Sequence, residues 1–159
     1  MRVHIAAIGR MKQGPERELA ARYLDRAAQS GKPLALTGFE VTELPESRAS
    51  SGSVRKSEES KALRAILPDG VVVALDERGK SLNSDNFARQ IGRWRDDGRA
   101  ALSFVIGGAD GLDPALAAGA DLALSFSPLT WPHQLVRIML AEQLYRATTI
   151  LSGHPYHRE

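Results

Sequence analysis

The chain has 159 residues, 43% hydrophobic and 25% charged, with a formal net charge of +2 and no cysteine. That length bounds one ordinary domain, read here as residues 1–159, and the missing cysteines exclude disulfides, thiolate metal sites and a thiol nucleophile. No apolar run reaches the roughly 18 residues of a membrane span, and the first nine residues are too short and interrupted for a signal peptide, so a soluble, cytoplasmic protein without a membrane partner is expected.

Residues 3–8 read as a buried strand ended by Gly9. Pro15 then opens an amphipathic helix with Leu19, Ala20, Tyr23, Leu24 and Ala27 at helical spacing. A second strand is expected over 34–44, and His4 on the first one reads as a satisfied core histidine. The stretch 45–56 is polar, basic and rich in Ser, with no periodicity that would bury a face. It is either a solvated connection or a loop that orders on an anionic partner. Ser57 is expected to cap a helix running to Leu67, with Glu58 and Glu59 in its first turn, where the helix dipole favours them.

Val71-Val-Val-Ala-Leu-Asp76 reads as the clearest fully buried strand, its β-branched run of the kind that a central parallel strand requires. A tight turn is expected over 77–80, then a helix capped by Ser84 with Phe87, Ile91 and Trp94 facing inward and Arg89 and Arg93 outward. Residues 101–106 read as another buried strand, followed by Gly107-Gly-Ala-Asp-Gly111. Asp113 and Pro114 cap and open a short helix, and 121–126 is the last strand. A long helix follows, with Pro132 in its first turn. Strands and helices alternate throughout, which predicts an α/β fold with a largely parallel sheet and flanking helices.

Three buried strands thus end in loops of unusual composition, after Leu75, after Ile106 and after Phe126. In a parallel sheet these ends share one edge, where ligands of open α/β sheets bind. The Gly107–Gly111 turn lets backbone approach a ligand closely, although neither the dinucleotide fingerprint nor the Walker pattern is present. Projected at helical periodicity, the last helix carries one apolar stripe, Val136, Leu140, Leu144, Ala147 and Leu151, expected to pack on the sheet. Its other side mixes Leu135, Ile138, Met139 and Tyr145 with Glu142, Arg146 and Thr149. That mixture suits a homodimer interface, or a helix buried on both sides within one subunit. Glu142 and Arg146 stand at pairing distance, four residues apart.

The pI of 9.1 reflects a near balance tipped by arginine, so distribution matters more than net charge. Arg48, Arg55 and Lys56 cluster in one segment, and Arg89, Arg93, Arg95 and Arg99 in another, as phosphate-tracking groups do. His154 and His157 make a His-x-x-His pair without a third ligand nearby, so no metal site is expected. His133 reads as a structural or interface residue.

The order Leu-Asp-x-x-Gly-Lys, Val-Ile-Gly-Gly-x-x-Gly-Leu, Leu-Ser-x-Ser-x-Leu-Thr-x-Pro-His-Gln-Leu-Val-Arg, Glu-Gln-Leu-Tyr-Arg-Ala and terminal Pro-Tyr-His-Arg-Glu resembles the ribosomal RNA large subunit methyltransferase H family. The resemblance runs over essentially the whole chain and is most specific in the last third. It implies a SPOUT-class α/β domain with a C-terminal trefoil knot, acting as a homodimer that binds S-adenosylmethionine in the knot loops. It implies methylation of N3 of a pseudouridine in 23S rRNA on the assembled ribosome. Carried onto this chain, the cofactor positions are Leu75, Gly107, Phe126, Ser127, Pro128, Leu129, Thr130 and Trp131. Trp131 stands where relatives often have a smaller apolar residue, and Pro128 where the family varies.

On that reading Arg137, Tyr156, His157 and Arg158 are expected to meet the flipped base and its phosphates. His157 accepts the imide proton and Arg158 stabilises the anion that forms. Without the resemblance His157 would read as a solvated terminal histidine. Two other functions compete: a non-catalytic ribosome- or RNA-binding module using the arginine clusters, and a small nucleotide-binding domain built on Gly107 to Gly111.

Overall fold

The computed structural model describes residues 1–157. Five strands form one sheet: β1 (Arg2–Ile8), β2 (Thr37–Leu44), β3 (Val71–Ser81), β4 (Ala101–Ile106) and β5 (Leu122–Ser125). Their order is β2-β1-β4-β3-β5, and every pairing is parallel. Helices α1 (Pro15–Gly31), α3 (Ser84–Asp96) and α5 (His133–Ser152) cover one face, while α2 (Gly52–Ile66) and the short α4 (Pro114–Ala118) cover the other. Among the described residues no helix is long and apolar enough to cross a membrane.

Burial on both faces explains the sequence pattern. Every residue of β4 is buried, and β1 is buried from Val3 onward. Val3, Ile5, Leu102, Phe104, Val71 and Val73 point to the α1/α3/α5 layer. Ala6, Ile8, Ala74 and Val105 point to Leu63 of α2 and Leu116 of α4. Successive side chains on a strand alternate faces, so a strand between two helical layers is apolar at nearly every position, His4 and Ser103 being the buried polar exceptions in β1 and β4.

The apolar stripe of α5 packs as its periodicity requires: Leu140, Leu144 and Ala147 are buried, and Val136 and Leu151 are partly so. Inward-facing Phe87 and Ile91 of α3 are buried and Trp94 is half-buried. Asp113 caps α4 by accepting from the Ala115 amide at 2.8 Å.

Several boundaries move. β2 starts at Thr37, because residues 32–34 form a 3-10 turn and Ala35 takes a left-handed φ of 56°. Phe39, at φ 59°, is skipped in the β1–β2 register and its ring is buried. α2 begins at Gly52 under a Ser51 cap, one and a half turns before Ser57. The α3 cap is Asn83, which frees Ser84 Oγ to donate to Gln143 Oε1 of α5 at 2.9 Å. Pro132 caps α5 from outside its first turn, and β5 is shorter than its apolar run, ending at Ser125.

The largest difference is at the end of β3. Residues 77–80 are not a tight turn; the strand runs to Ser81 with a bulge, so that Leu75 and Lys80 both pair with Leu124 of β5. Closing that bulge brings backbone against backbone: a Cβ on Gly79 would stand 2.7 Å from the Ala123 carbonyl. Only glycine fits there.

His4 is buried with Nε2 2.9 Å from Thr42 Oγ1, but its Nδ1 has no partner. Burial, and then Arg2, hold its pKa below the ordinary value.

Leu140 is fully buried in the layer between sheet and helices. Leu140→Ala should lower unfolding free energy by about 2–5 kcal/mol, read from a shifted urea midpoint at unchanged slope.

Candidate active site

β4, β3 and β5 are neighbours in a parallel sheet, so their C-terminal ends emerge side by side. The bulge in β3 and the loops that follow β4 and β5 form one cleft of about 310 Å³. Leu75, Phe126, Leu129 and Trp131 supply its apolar wall, and Gly108 to Gly111 its backbone side. A second hollow of about 490 Å³ shares Gly108, Ala109, Thr130, Trp131 and Val136 and adds Gly107 and His133, so the two are continuous.

The structure brings Leu75, Gly107, Phe126, Ser127, Leu129, Thr130 and Trp131 together along this cleft. Pro128 is exposed in the same loop but lines neither hollow. Leu129 is 66% exposed and Trp131 39%, unusually open for large apolar groups, which leaves an apolar surface for a ligand to cover. The loop is nevertheless fixed. Ser125 Oγ lies 3.0 Å from both the Glu77 and Ser127 carbonyls, Leu129 N donates to Ser127 Oγ at 2.9 Å, and Thr130 Oγ1 donates to Glu77 Oε2 at 3.0 Å. Opposite, Gly107 lies so near Gly111 that a Cβ would come within 2.6 Å of its backbone.

Sequence reasoning placed the segments after Leu75 and Ile106 at the cleft without singling out their polar side chains. Asp76, Glu77, Arg78, Lys56 and Asp110 all face the cleft. Asp76 accepts from the Arg78 amide at 2.8 Å and from its guanidinium at 3.2 Å, and that guanidinium is the main reason its pKa lies below the ordinary carboxylate range. The position of Asp76 and Glu77, directly after a buried strand, was the available signal.

Arg137 does not face the cleft or solvent. It is 5% exposed; Nη1 donates to Glu43 Oε1 at 2.6 Å, and Nη2 donates to the Ile8 carbonyl at 2.9 Å and to the Gly9 carbonyl. Burial, opposed by Glu43, pulls its pKa down. As placed, this guanidinium is an internal tie between the first turns of α5 and the ends of β1 and β2, and it is not open to the expected phosphate.

The family model described as "Predicted SPOUT methyltransferase" matches residues 1–157. The chain belongs to the SPOUT methyltransferase family. Among its relatives, the Ribosomal RNA large subunit methyltransferase H of Allorhizobium ampelinum is 59% identical over 159 residues, and that of Bradyrhizobium diazoefficiens 57% identical, each alignment covering 99% of both chains. The crystal structure of a probable methyltransferase from Bordetella pertussis shares the fold, with TM-score 0.52 at 14% identity over 92% of this chain and 95% of that one. A probable methylase family protein from Haemophilus influenzae does so with TM-score 0.52 at 12% identity over 99% and 70%.

The tail is packed away from the cleft, and none of residues 153–157 lines it. The Tyr156 ring packs at a tilt of 55° against Tyr145, centroids 4.7 Å apart, beneath the Arg146 guanidinium at 4.9 Å. Its hydroxyl donates to Glu142 Oε1 at 3.2 Å, and the same carboxylate takes the expected ion pair from Arg146. Arg146 Nη1 lies 3.2 Å from His157 Nδ1, and His157 Nε2 lies 3.7 Å from Asp85 Oδ1. A guanidinium only donates, so Nδ1 is the acceptor, and the ring proton of a neutral imidazole sits on Nε2, toward Asp85. His154 Nδ1 accepts from the Tyr156 amide at 3.2 Å. Arg158 lies outside the described residues.

Burial foremost, with the Tyr23 hydroxyl and the Glu142 carboxylate, pushes the Tyr156 phenol from 10.0 up to about 12. The folded state favours the neutral phenol, so its contribution to tail docking is complete below the ordinary value and is lost as pH rises through about 12. An ultraviolet titration should show one late-ionising tyrosine that disappears in Tyr156→Phe.

Proposed function

We propose that this chain is an S-adenosylmethionine-dependent methyltransferase acting on ribosomal RNA of the large subunit, at N3 of a pseudouridine in 23S rRNA on the assembled ribosome. The observation that carries this reading is the convergence of the bulged end of β3 and the loops after β4 and β5 on one cleft in a chain of the SPOUT methyltransferase family. The relatives' printed names supply the ribosomal RNA large subunit as the substrate class.

The residues present fit the methyl donor. The cradle at Gly107 admits no Cβ, the wall of Leu75, Phe126, Leu129 and Trp131 suits an adenine, and Asp76, Glu77 and Asp110 suit its cationic groups. When bound, S-adenosylmethionine supplies an electrophilic methyl group. The chain's own work is to hold donor and base in line, to exclude water and to take up the N3 proton.

On the RNA side, the sheet edge that bears the cleft also carries Arg10, Lys12 and Arg48 on the segments that leave β1 and β2, Lys56 in the first turns of α2, and Arg78 and Lys80 in the bulged end of β3. These cations replace Arg137 as the phosphate contacts. Tyr156, His157 and Arg158 meet the base. Because the tail of this subunit packs on its own α5, we assign the tail that completes each cleft to the second subunit of a homodimer. The half-buried Ile138 and Met139, beside an apolar hollow lined by Leu19, Tyr23, Leu82 and Phe87, suit that interface. For His157 to accept a proton, its ring must first leave Arg146. A single domain over 1–159, a trefoil-knotted path through the C-terminal loops and cytoplasmic residence complete the reading.

Calorimetry should detect S-adenosylmethionine binding to the native protein and none to Gly107→Ala, whose Cβ has no room; equal binding by the variant would remove Gly107 from the site. Mass spectrometry of rRNA from cells lacking the gene should show loss of one methylated pseudouridine, restored by the wild type and not by His157→Ala. No binding to the wild type and no lost methyl group would leave an RNA-binding module as the better reading.

A further inference from the structure

Beyond the phosphate contacts given to Arg48 and Lys56, the Ser-rich segment 45–51 and the first turns of α2 have no part in the reading above. Two residues of α2, one helical turn apart on one face, each touch both this segment and the Gly-rich loop of the cleft. Arg55 Nε donates to Asp110 Oδ2 at 2.6 Å and Nη2 to Oδ1 at 3.1 Å, while Nη1 donates to the carbonyls of Ala49 at 2.9 Å and Ser50 at 3.3 Å. Glu59 Oε1 accepts from the Ser47 amide at 2.9 Å, and its other oxygen, buried and without a partner, faces Gly108 so closely that a Cβ there would be 3.2 Å away. Ser60 Oγ accepts from the Asp113 amide at 3.3 Å at the far end of the same loop. The helix is wedged between the two segments, holding the loop at Gly108, Asp110 and Asp113.

We propose that Arg55 is a positioning residue for the methyl-donor cleft: its fork locks the Gly-rich loop to the 45–51 segment, so that the loop's shape depends on where that segment lies. The inference rests on the methyl-donor reading of the cleft. Arg55 does not itself line the cleft, whereas Asp110, Gly108 and its neighbour Lys56 do. Whatever its loss does to donor binding must therefore pass through the loop. Arg55 and Asp110 keep about a third of their side chains in solvent, 30% and 33%. Exposed pairs add little to global stability, so the tie can matter to the cleft without mattering to the fold. A lysine could keep the charge but not the fork, because one ammonium cannot hold a carboxylate edge-on and two carbonyls at once. The arrangement also couples the cleft to RNA: Arg48 lies exposed in the tied segment, so a phosphate that moves it moves Ala49 and Ser50 and, through Arg55, Asp110.

The test compares wild type, Arg55→Ala and Arg55→Lys as full chains. In Arg55→Ala, amide hydrogen exchange should accelerate in 47–51 and 107–113 together, with little change elsewhere and a nearly unchanged melting temperature. S-adenosylmethionine should bind about three- to tenfold more weakly, seen as a raised KM for the donor at unchanged kcat under saturating donor, with Arg55→Lys between the two. If the wild type binds the donor and Arg55→Ala binds it as tightly, or if the two segments exchange as in wild type, the positioning role is overturned and the cleft reading stands. If the wild type binds no donor, the cleft reading fails and the positioning role with it.

Discussion

One buried guanidinium holds the architecture together where it could most easily come apart. A parallel sheet needs a crossover between its strands, and the last helix here, α5, must return to strands laid down 94 and 129 residues earlier. Arg137 makes that junction. From the second turn of α5 it reaches the terminal carbonyls of β1 and the Glu43 carboxylate at the end of β2. Glu43 in turn accepts from the Met11 amide, which orders the chain leaving β1. Unpaired backbone carbonyls at a buried sheet edge would otherwise lack partners. A charged fork answers two of them at once and supplies a charge to match Glu43.

The site inherits its shape from that junction. Residues 126–132 are a short span between β5 and α5, anchored at one side by Ser125 and Thr130 to Glu77, and at the other by a helix whose start Arg137 fixes. The Gly-rich loop is set from the opposite face by α2. Large apolar groups can therefore stay open on the rim, because the backbone beneath them is held by polar ties that do not require those side chains to be buried.

Much of this was legible in the sequence because burial leaves a period. Val71 to Leu75 and Ala101 to Ile106 could only be two-sided strands, and parallel strands place their following loops together. What escaped was set by tertiary contact. Gly52 to Lys56 has a composition that favours a loop, yet it is helical where Arg55 finds Asp110 and two carbonyls. The β3 bulge was hidden because Glu77-Arg-Gly-Lys80 has a turn's residues and only its contact with β5 shows otherwise. Arg137 was expected at the RNA, and its burial against a carboxylate and two carbonyls arriving from β1 and β2 is a tertiary contact that the helix's own sequence does not show. The tail's residues were legible as a motif, whereas their docking on Tyr145 and Glu142 depends on α5 being in place.

The strand order has a consequence for the chain as it leaves the ribosome. β1 lies between β2 and β4, and β3 lies between β4 and β5, so only the β1–β2 pair can close while the first half is being made. The apolar β3 run must wait for β4, and β4 completes the sheet's centre only after residue 106 has emerged. Non-local parallel pairing of this kind is slow and leaves sticky strands exposed in the meantime. The β3 run of a newborn chain therefore stays without its sheet partners until the second half is made, and truncations that remove β4 should aggregate rather than yield a smaller folded unit.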